Sequence, residues 1–255
     1  MQLVLAVLAV LVMTSCGGKS PTAPPTVVGV SVTSSATSLI VAETATVRAT
    51  FLNSVGASAA FTPTWESDNL GVATVTAEGL VTSVGFGTVS IIARHPDGRQ
   101  GSIKIGVFPD VRTVWNLSMV RASCVKVEIG SAGFTPCSPE SGTPFSIRLI
   151  IGSLTPSSDD MMRVTGLYSD DLLEGTVDTA GQLFWSTGPV SESVGADWDI
   201  GTGTKTISRE GVFQVATSGE ELSGEYSYVS QYHGFSDAII DATYTYVYRI
   251  LSSYI

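Results

Sequence analysis

Histidine and cysteine are scarce in this chain, with two of the first and three of the second among 255 residues. A metal centre gathers three or four ligands, and neither His95 nor His233 stands near Cys124 and Cys137 in sequence, so no metal site is expected. Charged residues make up only 14% of the chain. No long stretch repeats apolar residues at helical spacing without Gly, Thr or Val breaking the pattern. Helical architectures are thereby excluded, and the abundance of Gly, Ser, Thr and Val favours strands and turns. Reactive constellations are missing too. There is no Gly-rich phosphate loop between a strand and a helix, and no Gly-x-Ser-x-Gly turn. His233, in Gln231-Tyr232-His233-Gly234-Phe235-Ser236-Asp237, has Ser and Asp beside it but reads as a surface-loop residue, because a triad is assembled across a fold and not along a segment. Catalysis and a bound cofactor are not expected.

Positive charge is the scarcer sign, 13 basic against 23 acidic residues. The imbalance is concentrated in one part of the chain. Residues 28–108 carry 4 basic and 5 acidic side chains, whereas residues 110–255 carry 8 and 18, a difference of −10. Such a surface repels phosphate backbones, so nucleic acid is excluded as a partner.

Long apolar runs are limited to residues 3–13, too short for the roughly 20 residues that cross a bilayer but suited to the core of an export signal. The residues that follow are Thr14, Ser15, Cys16, Gly17, Gly18 and Lys19. Leu11-Val12-Met13-Thr14-Ser15-Cys16 resembles the lipobox of bacterial lipoproteins, in which the Cys is lipidated after cleavage. The resemblance implies a signal peptide over 1–15, lipid on Cys16, and a membrane attachment made by acyl chains, each buried methylene contributing about 0.8 kcal/mol. Gly17 in place of Asp implies the outer membrane. Residues 16–26, rich in Pro, Gly, Ser and Thr, form a semi-extended tether.

From residue 27 the pattern changes to short alternating runs at 28–32, 45–51, 62–66, 71–76, 80–83, 88–93 and 101–107. Each is bounded by Gly, Asn, Asp or Pro. About seven strands in some 80 residues is the pattern of an Ig-type β-sandwich. The stretch from Trp65 to Ile91 resembles the signature of the bacterial Ig-like domain of group 2. Trp65, Ser67, Asn69, Val72, Ala73, Val75, Gly79, Val81, Gly85, Gly87 and Thr88 occupy its positions, and Ala42 stands where that family often has Gly. Trp65 is the expected core anchor, Asn69 a turn former, and Gly79 the positive-φ residue of a hairpin. The resemblance covers 27–108 and implies a spacer or adhesive role.

Residues 110–255 read as eight or nine sequential antiparallel strands, with hairpin signals at Asp178-Thr179-Ala180-Gly181 and Ser218-Gly219-Glu220-Glu221. A meander of that kind closes into a barrel, because closure removes exposed edges; a second sandwich is the alternative. The Trp near its start and the Gly-x-Tyr runs resemble the lipocalin and calycin barrels. The fold class is therefore all-β: a sandwich followed by a meander barrel or second sandwich. Trp115, Leu117 and Met119 share one strand face, as do Tyr244, Tyr246 and Tyr248 on the last strand. Asp170, Asp171 and Glu174 read as a water-facing turn, and Asp197 and Asp199 lack the further oxygens of a calcium loop.

The function expected from these features is non-catalytic: an exported envelope protein, attached to the membrane through Cys16, whose sandwich spaces or adheres and whose C-terminal domain meets a protein or carbohydrate surface. The alternative is a carrier holding an apolar ligand against Trp115, Trp185, Trp198, Tyr244 and Tyr246. Cys124 and Cys137, separated by a segment rich in Gly, Ser and Pro, are expected to form a disulfide outside the cytoplasm, contributing about 3 kcal/mol; metal ligation is the other use of such a pair. Alkylation before and after reduction separates the two. The disulfide requires that neither Cys of the exported protein takes label until reductant is added, and labelling by a chelator alone would point to metal.

Overall fold

The computed structural model of the protein describes residues 26–56, 58–59, 61–129, 144–158, 160–168, 171–194, 203–233 and 241–254. Within these the regular structure is entirely β. Nine strands form the first unit: β1 (Val27–Ser34), β2 (Ser38–Ile40), β3 (Thr44–Asn53), β4 (Ser58–Ala59), β5 (Thr64–Ser67), β6 (Ala73–Val75), β7 (Leu80–Ser83), β8 (Gly87–Arg94) and β9 (Gln100–Phe108). Eight form the second: β10 (Val114–Ile129), β11 (Phe145–Ser158), β12 (Met161–Tyr168), β13 (Asp171–Asp178), β14 (Gln182–Val194), β15 (Gly203–Val215), β16 (Leu222–His233) and β17 (Asp241–Tyr254).

The first unit is a sandwich of two sheets, one ordered β1-β3-β7-β6 with β4 on β3, the other β2-β9-β8-β5. Alternation drives the packing. Ala45 and Val47 of β3, Val89 and Ile91 of β8, and Ile105 and Val107 of β9 turn inward and are buried, while the alternate residues Thr46, Arg48, Thr88 and Lys104 are exposed. Trp65 packs half-buried against this core. Asn69 makes the turn expected of it: its side-chain Oδ1 accepts from the Gly71 N–H at 3.2 Å, and its carbonyl accepts from Val72 and Ala73.

Gly79 has φ 81°, and a Cβ there would lie 2.5 Å from the Val47 carbonyl oxygen. Ala42 also adopts a left-handed φ, 74°, the only described non-Gly residue that does. Ser83 holds that turn, its hydroxyl donating to the carbonyls of Ile40 and Glu43 at 2.8 Å each.

The second unit is a closed antiparallel barrel in sequential order, β10 through β17, with β17 returning to pair with β10. It is a barrel and not a second sandwich. The outward positions include Arg148, Arg163, Glu174, Glu210, Glu225 and Arg249, all exposed. Leu167, Leu172, Phe184 and Val212 are exposed on the same outer wall. No described helix is long and apolar enough to cross a membrane.

The strands are unequal, and this shapes everything above the barrel's floor. β12 and β13 have 8 residues each, whereas β10 has 16 and β14 to β17 have 12 to 14. β11 begins level with Met119, through the pair Met119↔Phe145, while β10 runs on to Ile129 beside β17. Among the described residues one end of the barrel is therefore a complete ring, and the other is a curved five-stranded sheet rising above a low wall.

The ring is filled. Trp115, Leu117, Met119, Leu149, Val164, Leu173, Val177, Leu183 and Trp185 are fully buried in one cluster. Ile40, Phe108 and Val111 belong to the same cluster, so the end of the sandwich packs onto the ring end of the barrel. The turns at Gly181 and Gly219 lie at this junction. The Asp178 carboxylate accepts from the N–H groups of Ala180 and Gln182 at 2.9 and 2.8 Å, which builds the expected hairpin.

Two substitutions test the backbone reading. An L-residue in the left-handed region costs about 1–2 kcal/mol, so Ala42→Gly is expected to stabilise the protein by about 1 kcal/mol after the unfolded-state entropy is allowed for. Gly79→Ala meets both the φ cost and the Val47 carbonyl and is expected to lose about 2 kcal/mol or more. Denaturant midpoints of the two variants against the parent check both signs.

Candidate functional site

All eight tyrosines of the chain lie beyond residue 167, and most line the inner face of the tall sheet. Antiparallel pairing puts paired residues on one face. The pairs Lys205↔Tyr232, Ile207↔Ser230, Arg209↔Tyr228 and Gly211↔Tyr226 link β15 to β16. Tyr226↔Tyr248 and Tyr228↔Tyr246 continue to β17, and Tyr248↔Arg121 and Tyr246↔Cys124 to β10. The parity is set from below: Phe213 and Val215 are buried in the ring, so positions 211, 209, 207 and 205 also face inward.

The rings form a continuous column from the filled core to the open face. Trp185 stacks on Tyr168 and Tyr226 with centroids 5.3 and 5.9 Å apart. Tyr226 contacts Tyr248 at 5.6 Å, Tyr248 stacks on Tyr246 at 6.4 Å, and Tyr246 meets Tyr228 at 5.6 Å. Offset aromatic pairs of this kind contribute about 0.5–1.5 kcal/mol each beyond their buried area. Gly211 makes room at the base, since a Cβ there would stand 2.3 Å from Trp185 Nε1.

Arg209 is one of the cations of this face. Its guanidinium bonds the Asp171 carboxylate and lies over the rings of Tyr168 and Tyr228, 5.4 and 5.8 Å from their centroids. One level higher, Lys205 bonds Glu192 at 3.2 Å and lies 5.9 Å from the Tyr232 centroid. Burial works against the Lys205 charge, but the phenols of Tyr228 and Tyr232 and the Glu192 carboxylate outweigh it, so its pKa is raised. A cavity of about 280 Å³ opens here, lined by Phe145, Tyr168, Arg209, Tyr226, Tyr228 and Tyr248. A second, of about 440 Å³, lies between β13 and the rising part of β14 and is lined by Asp171, Leu172, Glu174 and residues 186–190.

The phenols are held neutral. Burial, then the neighbouring Tyr168 phenol, drives Tyr226 far up. Burial also raises Tyr168, partly offset by the hydrogen bond that Tyr226 donates to it and by the Arg209 charge. Tyr246 is pushed up to about 12, by burial first and then by Tyr232, Tyr248 and Tyr228.

The anticipated site residues separate into three groups. Trp115 and Trp185 are fully exposure-free and sit in the filled ring, with Trp115 Nε1 donating to the Val111 carbonyl at 3.2 Å; they line none of the cavities described, and this corrects their reading as ligand-facing. They are core because the ring end is closed by the sandwich. Tyr246 lies on the inner face of the tall sheet. Trp198, the Tyr244 side chain, Cys16 and Cys137 fall outside the described residues. Asp171 is not a water-facing turn residue; it opens β13 and anchors Arg209. Arg209, Lys205 and Glu192 were not anticipated, although counting back in twos from Phe213 points to the two cations. Among the described residues no group of three or more His, Cys, Asp and Glu is placed to hold a metal.

The sandwich ends where the recognisable sequence ends. Residues 26–105 match the bacterial Ig-like domain (group 2). The matched segment takes in β1 to β8 and most of β9 and none of the barrel. No curated protein matches the chain.

A raised tyrosine pKa has a defined consequence for stability. The neutral phenol is favoured in the folded state, so the contribution is complete below the unfolded value of about 10 and is lost as pH rises through the folded value, about 12 for Tyr246. The denaturant midpoint is expected to fall across that window. Phenolate absorbance of the folded protein should show a fraction of tyrosines that ionise only on unfolding; eight equivalent groups titrating together near the ordinary value would contradict it.

Proposed function

We propose that this protein is a non-catalytic, lipid-anchored component of the bacterial cell envelope, in which the Ig-like sandwich acts as a spacer or adhesion module and presents the barrel's open face to a partner. The anchor is lipid on Cys16 in the outer membrane, followed by the tether 16–26, and Cys124 and Cys137 form a disulfide at the same end of β10 as the open face. The pairing of the half-buried Cys124, which is disulfide-bonded, supports that last point.

The observation that carries the reading is the serial order of chain entry, sandwich, junction and mouth. Val27 opens β1 at the end of the sandwich remote from the barrel: Gly101, early in β9, packs against Val30, whereas Ile40 pairs with Phe108 at the junction. The complete ring then abuts the sandwich, and the tyrosine face lies at the opposite end of the barrel. An anchor before residue 27 and a partner on the tyrosine face are thus separated by the length of both units. The apolar-carrier alternative is weakened by the same structure, since Trp115 and Trp185 are packing residues and the open face carries Arg209, Asp171, Lys205 and Glu192.

Two variants of the full chain test the proposal in its native host. Cys16→Ser is expected to move the protein from the membrane fraction to the soluble fraction and to abolish fatty-acid labelling. A chain ending after residue 108 is expected to stay membrane-bound and lose adherence to the partner surface. Membrane retention of the Cys16→Ser protein would refute the anchor, and undiminished adherence without the barrel would refute presentation.

A further inference from the structure

The chemistry of the open face specifies what kind of partner it fits. Its walls are the π-faces and hydroxyls of Tyr228, Tyr246 and Tyr248, and its charged groups include Arg209, matched to Asp171, Lys205, matched to Glu192, and Arg121, in register with Tyr248. An apolar ligand would take these ion pairs out of water and offer them no hydrogen bonds in exchange. An anion would meet the Asp171 and Glu192 carboxylates on a domain whose sequence is strongly acidic, although Arg121 lies near Tyr246 and Tyr248 and favours negative charge there. A cation finds its place over Tyr168 and Tyr228 already taken by Arg209.

What remains is a neutral molecule with apolar C–H faces and many hydroxyls. Aromatic rings accept the first, while phenols, carboxylates and guanidinium donors exchange hydrogen bonds with the second. At the base of the column two further polar groups are fully buried without a partner, Trp185 Nε1 and Thr187 Oγ1. Thr187 borders the 440 Å³ cavity beside Asp171, so a hydroxyl group entering over the low wall has an unsatisfied partner to meet. The 280 Å³ cavity has the size of a single sugar ring with space for its linkage.

We propose that the inner face of the tall sheet β14-β15-β16-β17-β10 is a saccharide-binding site, taking one ring of a neutral glycan against Tyr228 and Tyr248 with its hydroxyls directed to Arg209 and Asp171. The low wall of β12 and β13 lets the rest of a glycan chain leave sideways. This rests on the reading that the barrel is the element that meets a partner, and names that partner's chemistry.

The test is titration of the full mature chain with glucose, galactose, mannose, N-acetylglucosamine and their β-linked disaccharides, followed by intrinsic fluorescence, since Trp185 stacks on two tyrosines that border the cavity. A saturable change with Kd around 1 mM is expected for at least one sugar. Tyr228→Ala and Tyr248→Ala should weaken it at least tenfold. Tyr228→Phe and Tyr248→Phe, which keep the packing, should weaken it several-fold, and Glu210→Gln on the outer wall should leave it unchanged. The proposal falls if no sugar saturates by about 100 mM, if Glu210→Gln weakens binding as much as the tyrosine variants do, or if decanoate or inorganic phosphate binds more tightly than every sugar. Adherence that is lost in the tyrosine variants but competed by none of the sugars would overturn the saccharide and leave presentation intact. Sugar binding with adherence unaffected by barrel removal would do the reverse.

Discussion

The ladder between β10 and β17 is the constraint on which the rest of the C-terminal unit depends. It runs from Asn116↔Tyr254 to Ile129↔Asp241 and joins segments separated by most of the domain's length. Without it β10 and β17 are exposed edges, open to pairing with other chains. With it, the ring becomes a closed container small enough to be filled by side chains, and the long upper parts of five strands are held side by side although the short strands never reach them. Pairing between segments so distant in sequence is a slow kind of contact to form.

The barrel houses two regimes along a single axis. At the ring end, Trp and aliphatic side chains fill the interior, and the sandwich supplies Ile40, Phe108 and Val111 as the plug. At the other end, the interior positions include Tyr, Arg, Lys, Glu and Asp, with Arg209 paired to Asp171 and Lys205 to Glu192. The column Trp185-Tyr168-Tyr226-Tyr248 crosses from one regime to the other. The fixed position of the upper rings therefore derives from the packed floor and not from the strands alone. A site built in this way has its aromatic surfaces set before any ligand arrives, which lowers the ordering cost of binding.

The sandwich was largely legible in the sequence because its signals are local: Asn69 and Gly79 mark turns, and β3, β8 and β9 alternate cleanly. β2 and β4 were missed because three and two residues carry no period. In the barrel, the ring portions of the strands were read from Trp115-Leu117-Met119 and Gln182–Ser186, but the strands were drawn too short. The upper part of β14, Thr187 to Val194, and the start of β15, Gly203 to Ser208, alternate polar with polar. An interior made of charge and phenol leaves no hydrophobic signature there. For the same reason the tryptophans attracted the ligand reading, and Arg209 and Asp171, whose meaning comes only from register, did not. That Tyr246 and Tyr248 share a face was legible because aromatic alternation survives without burial.

The route of the chain through the sandwich also decides how the molecule bears tension. The chain enters at Val27 and leaves at Phe108 at opposite ends of the unit, so a pull applied between Val27 and the barrel would run parallel to β1. That strand is held to β3 by pairs from Val27↔Asn53 to Ser34↔Val47. Load along the strand axis falls on these hydrogen bonds together, as shear, and not one after another, as in peeling. Forced unfolding is governed by the rate over the barrier, and shear makes that barrier depend on the whole ladder at once. A lever built this way yields abruptly, at a threshold, and below it transmits force to the mouth without lengthening.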